Sequence, residues 1–182
     1  MKHAEPRSPV SFIANVARLP QKGLPVVVEA DERQRAALAA EYELLSVECY
    51  RAELLVVSWK RNGVKVSGRV EADITQACIV TLDPVAAHIG EPIEALFLPE
   101  QSKLGREGFE GGGEIVLDAD GPDSPETFSG DTIDVGALAE QFFGLAIDPY
   151  PRKAGASIDT EDDDPEEESE FQKKLRSLLG KS

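Results

Sequence analysis

Between Val47 and Leu82 apolar and polar side chains alternate with a period of two. Successive strand residues point to opposite faces, so this rhythm predicts antiparallel β-structure with one buried and one solvated side. "VECYRAELLVVSWK" predicts an outgoing strand, "RNG" a hairpin turn and "VKVSGRVEADITQACIVTL" a long return strand. In the return strand Val64, Val66, Val70, Ala72, Ile74, Cys78, Val80 and Leu82 fall on one side. Lys65, Ser67, Arg69, Glu71, Asp73 and Thr75 fall on the other. Asn62-Gly63 suits the turn because both residues tolerate positive φ. Asp83-Pro84 then turns the chain, and "AHIGEPIEALFLPE" predicts a further strand.

On either side of this region the periodicity changes. "SFIANVARLP" and "LPVVVEA" read as two short strands, separated by Pro20, Gly23 and Pro25. "DERQRAALAAEYELL" predicts a helix, with Asp31 and Gln34 as a capping box and Leu38, Tyr42 and Leu45 as its apolar stripe. "QSKLGREGFEGGGE" is a glycine-rich loop, and "EIVLDAD" a short strand. "DVGALAEQFFGLAID" predicts a second helix, capped by Asp134 and stapled by Ile133 against Leu138. Its expected stripe is Leu138, Phe142 and Leu145. Gly136 and Gly144 each cost that helix about 1 kcal/mol relative to alanine, so packing must hold it.

The fold expected from these elements is α+β: a curved, mostly antiparallel β-sheet with two packed helices, at about 31–45 and 134–147. Residues 1–151 form that single domain. Residues 152–182 comprise an acidic disordered linker containing "TEDDDPEEE" and a short C-terminal amphipathic helix carrying Phe171, Leu175 and Leu178 on one side. So short a helix is marginal alone in water. It is expected to dock, either on its own domain or on a partner.

Charge and composition narrow the setting. The chain has 182 residues, 41% of them hydrophobic, and a formal net charge of −15. Residues 1–70 carry 11 Lys/Arg against 8 Asp/Glu, whereas residues 71–182 carry 8 against 26. A field so negative repels polyanions, so nucleic acid would have to meet a local basic face, while the acidic half suits a basic protein partner. The start of the chain does not read as a signal peptide, and no apolar run approaches the ~20 residues a spanning helix needs. Two cysteines, Cys49 and Cys78, fit a reduced, cytoplasmic location with no membrane association.

Candidate chemistry is sparse. A structural zinc site needs about four ligands, and where a C-x-x-C would close, "CIVT" has Thr81, which a regular strand would turn away from Cys78. Cys78 with His88 is the one conceivable nucleophile–base pair. Yet Cys78 continues the apolar face begun at Val64, so it and Cys49 read as core residues. "EGGGE" lacks the Lys-Ser/Thr of a phosphate loop, and "DADGPD" lacks the glycine position of an EF-hand. The expectation is a non-enzyme without metal or cofactor. Trp59, Lys60, Arg61, Lys65 and Arg69 instead gather cations and a ring on one hairpin, the combination that single-stranded RNA binding uses. A solvated hairpin with Trp59 packed inward is the alternative.

"QACIVTLDPV" and "LAIDPYPR", within the order of elements above, resemble the YceD family of large ribosomal RNA subunit accumulation proteins, in its alphaproteobacterial form. The resemblance covers most of residues 8–156 and extends loosely to "FQKKLRSLL". Many relatives outside that branch carry a C-x-x-C where this chain has "CIVT", so a zinc role does not carry over. The resemblance implies a non-enzymatic cytoplasmic factor in large-subunit ribosomal RNA accumulation and processing and in ribosome assembly. Its partners would be ribosomal RNA, a large-subunit ribosomal protein, or both, with no DNA. The alternative is an acidic adaptor that holds a basic ribosomal protein without touching RNA. No catalytic residues come with the resemblance.

Overall fold

A computed structural model of the protein describes residues 7–60, 62–100 and 125–155. Strand β1 (Ile13–Asn15) and strand β2 (Leu24–Glu29) lead into helix α1 (Glu32–Glu41). The long strands β3 (Ser46–Trp59), β4 (Gly63–Ala77) and β5 (Pro84–Pro99) follow. Strands β6 (Glu126–Phe128) and β7 (Thr132–Asp134) precede helix α2 (Val135–Ala146). The fold is α+β. Its main sheet has the order β2-β3-β4-β5-β6, antiparallel except for the parallel β5–β6 pair, and is not closed. β1 and β7 pair separately as an antiparallel arm.

The two-residue rhythm puts Tyr50, Ala52, Leu54 and Val56 of β3 on the same buried face as Val64, Val66, Val70, Ala72 and Ile74 of β4. Ile89, Ile93 and Phe97 extend that face into β5. α2 covers it, and Phe143 meets Tyr42 and Tyr50 edge-on, with ring centres 5.3 and 5.4 Å apart. The predicted loop and strand within 101–124, the linker beyond 155 and the tail helix lie outside the described residues.

Where the structure departs from the sequence reading, a local cause is visible. The capping box of α1 is present, with Asp31 and Gln34 exchanging two hydrogen bonds of 2.8 Å. The helix nevertheless stops at Glu41, because Glu43 turns to φ +53 and the Leu45 amide donates to Thr75 O at 2.8 Å. Leu45 is therefore exposed, and Leu44 takes the buried place expected for it. A bulge between Val47 and Cys49 puts Glu48 and Cys49 both outward, so Cys49 is exposed rather than in the core.

The α2 stripe also shifts. The buried face runs through Val135, Leu138, Ala139 and Phe143. At 100° per residue Leu145 lies about 120° from Ala139, and it stands 77% exposed near the helix end. Gly136 is required by contact: a Cβ there would stand 2.0 Å from Val10 O and 2.4 Å from Phe12 N. Asp134 joins arm to helix, accepting from the Ala137 and Phe12 amides at 2.9 Å each and from Ser11 Oγ. Burial raises its pKa, but these donors outweigh burial and hold it below the usual carboxylate range.

Candidate functional site

Two places bring distant parts of the chain together. The first is the turn from Cys78 to Asp83. The alternation of β4 ends at Ala77, so Val80 and Leu82 do not continue its buried face; Leu82 is 76% exposed at φ +60. The Cys78 amide donates to Asp83 O at 2.8 Å, and the Leu82 amide donates back to Cys78 O at 2.9 Å. Thr81 thus stands in a compact turn and not on a continuing strand, so the regular-strand geometry that would turn it away from Cys78 does not apply.

The segment leaving α2 closes over the same turn. Gln76 Nε2 donates to Asp148 O at 2.8 Å, and the Ile79 amide donates to Pro151 O at 3.0 Å. The Lys153 amide donates to Cys78 Sγ at 3.4 Å, and Lys153 Nζ reaches Asp83 Oδ2 at 3.0 Å. Hydrogen bonds from Lys153, Thr81 and Val80 stabilise the thiolate and bring the Cys78 pKa down to about 6. The thiol is fully buried, and His88 is not beside it. His88 stands opposite Asp73 on the solvated face, Nδ1 to Oδ1 at 2.7 Å. Among the described residues no three His, Cys, Asp or Glu side chains converge as metal ligands. This joint is a structural fastening, with Leu82, Leu145 and Tyr150 exposed on it or beside it.

The second place is the tip of the β3–β4 hairpin. Trp59 pairs with Gly63, and Asn62 takes the left-handed conformation at φ +68. Gly63 serves by its small size, since a Cβ would stand 2.9 Å from Trp59 O and 3.1 Å from its ring. Trp59 is half-buried, with Lys60 Nζ 4.8 Å from its ring centre. Arg61 lies outside the described residues, as do Phe171, Leu175 and Leu178. Lys65 pairs with Glu94, and Arg69 lies 3.6 Å from Glu71. Both cations are thus already matched by carboxylates on the open sheet face, Lys65 beside Trp59 and Arg69 farther from the tip.

At the tip a groove of about 650 Å³ opens between the hairpin, the chain after β1 and the β6–β7 turn. Arg18, Trp59, Lys60, Asn62, Phe128 and Asp131 line it. Arg18 and Asp131 were not legible as site residues. They share the groove with Trp59 because the Val16 amide donates to Asp131 O at 2.8 Å, which lays the first arm against the β6–β7 turn.

A family model described as "Large ribosomal RNA subunit accumulation protein YceD" matches residues 66–177, well over half of the chain. Comparison with curated proteins and with solved structures found no match.

Proposed function

The chain belongs to the YceD family, and on that premise we propose that it is a non-enzymatic, cytoplasmic accessory factor in large-subunit ribosomal RNA processing and ribosome assembly. The family description itself points to accumulation of the large ribosomal RNA subunit. The mode of action we propose is contact with precursor RNA through the β3–β4 hairpin. The observation that carries it is the tip, where Trp59 and Lys60 adjoin Arg18 in one groove of a chain whose net charge is −15. Cations that track phosphate beside a ring that stacks on bases are the elements of single-strand recognition. Among the described residues no helix is long and apolar enough to cross a membrane.

The test is crosslinking in cells, followed by sequencing of bound RNA and mass spectrometry of the same pull-down. Large-subunit ribosomal RNA is the expected recovery, and neither ribosomal RNA nor ribosomal protein would sink the reading. Charge reversal at Lys60, Arg61, Lys65 and Arg69 should weaken RNA binding by the purified protein. Unchanged affinity would remove the hairpin from the contact.

A second reading is favoured by a separate observation. Leu82, Leu145 and Tyr150 are exposed on the acidic half, beside Asp83 and Asp148. Apolar anchors rimmed by carboxylates suit a basic ribosomal protein. In that adaptor the tail also contributes, so deleting residues 160–182 should release the protein partner while leaving hairpin-bound RNA in place.

A further inference from the structure

We infer that the groove at the hairpin tip is a seat for single-stranded RNA, in which Trp59 stacks on a base, Arg18 and Lys60 hold the flanking phosphates, and Asp131 reads the base edge. The inference rests on the RNA-binding reading above and adds Arg18 and Asp131, which no other observation assigns to function. Its volume of about 650 Å³ falls within the roughly 300–1,000 Å³ of small-ligand sites. Among the described residues two cations and one carboxylate line it, a locally basic balance. Charges more than about 8–10 Å away are screened at physiological salt, which limits how far the acidic half weakens it.

The carboxylate supplies the specificity. Asp131 would repel a phosphate, but a carboxylate accepts well from an exocyclic amino group, as on cytosine N4. Uracil offers no such group. The groove should therefore prefer cytosine to uracil. A base paired in an A-form helix cannot lie flat on an indole, so the occupant is single-stranded. At present Lys60 Nζ sits 4.8 Å from the Trp59 ring centre. A base on that face displaces the ammonium to the phosphate beside it, exchanging a cation–π contact for an ion pair.

Trp59 is the single tryptophan of the chain, so all tryptophan emission comes from one side chain that lines this groove. The experiment titrates the full chain with single-stranded oligocytidylate and oligouridylate of about eight nucleotides, in roughly 50 mM salt. Trp59 fluorescence and gel mobility are both followed. Quenching on binding is expected, with oligocytidylate preferred. Arg18→Glu should weaken binding at least about tenfold, in keeping with the loss of a phosphate contact and added repulsion. Arg33→Glu, an equal charge change on α1, should not. Asp131→Asn should erase the preference for cytosine. If RNA shifts the protein without changing Trp59 emission, and Arg18→Glu binds as well as Arg33→Glu, the groove is overturned while RNA binding stands. If the wild-type chain shifts neither oligonucleotide nor ribosomal RNA, the RNA reading falls and the groove with it.

Discussion

The backbone amide of Lys153 donates to Cys78 Sγ at 3.4 Å, across 75 positions of sequence. This bond ties "LAIDPYPR" and its continuation to "QACIVTLDPV", the two stretches that most resemble the YceD family. Their shared task is to close the molecule at one end: the Pro151 carbonyl and the Lys153 amide together meet the Cys78 turn.

The first prediction concerns that sulfur. The folded pKa of Cys78 lies near 6, below the ordinary 9.0. A depressed acid stabilises the fold fully above its unfolded pKa and loses that contribution as pH falls through the folded value. The stability gap between wild type and Cys78→Ala should therefore be widest above pH 9 and shrink steadily towards pH 6. Urea midpoints measured across that range check it, and a gap independent of pH would contradict the thiolate assignment.

Glu140 gives the opposite sign. It is only 6% exposed, with Tyr42 Oη 3.4 Å from its Oε1. Burial first, and then the neighbouring Glu41, raise its carboxyl pKa despite hydrogen bonds from Ser8 and Tyr42. Such a group stabilises the fold below its unfolded pKa and ceases to do so as pH rises through the folded one. Glu140→Gln should be more stable than wild type at pH 8 and lose that advantage in acid. Thermal melts at both ends of the range decide it; a variant less stable than wild type at pH 8 refutes it.

The Asp134 clasp should behave as a strong helix cap. Asp134→Ala removes the acceptor for Phe12, Ser11 and Ala137, and a loss of about 1–2 kcal/mol is expected. Because the folded pKa is depressed, the loss should diminish as pH falls below the ordinary carboxylate range. Chemical denaturation at pH 7 and pH 3 measures both. Equal losses at the two values would show that charge is irrelevant to the clasp.

Helix propensity and packing make opposite forecasts for Gly136→Ala. Propensity favours alanine by about 1 kcal/mol. The new Cβ would stand 2.0 Å from a backbone oxygen, which cannot rotate away. Packing wins, and a net loss of about 1–3 kcal/mol is expected. Gly144→Ala should cost less, since its nearest obstacle is the Tyr42 ring at 2.5 Å, a side chain able to shift. A stabilised Gly136→Ala protein would show that the arm does not pack against α2.

The α+β class, the β3–β4 hairpin, the starts of both helices and the buried face of β4 were legible in the sequence. Each depends on neighbours a few residues apart: the alternation from Val64 to Ile74, the Asp31–Gln34 box, the Asp134 cap. The misplaced residues are those whose environment is set from elsewhere. Leu45 was drawn out by Thr75, Cys49 by a bulge, and Leu145 by the position of the sheet under α2. Thr81 looked like a residue facing away along a regular strand, but the strand had already ended at Ala77 and Thr81 lies in the turn.

By itself, then, the sequence determined local geometry and family character, since backbone sterics, capping and side-chain alternation act over a few bonds. Only the tertiary structure decided that residues near 78 and 153 form one joint, and that Arg18, Trp59 and Asp131 share one groove. Those contacts join positions tens of residues apart, and no periodicity in a chain encodes which distant surfaces a folded core brings together.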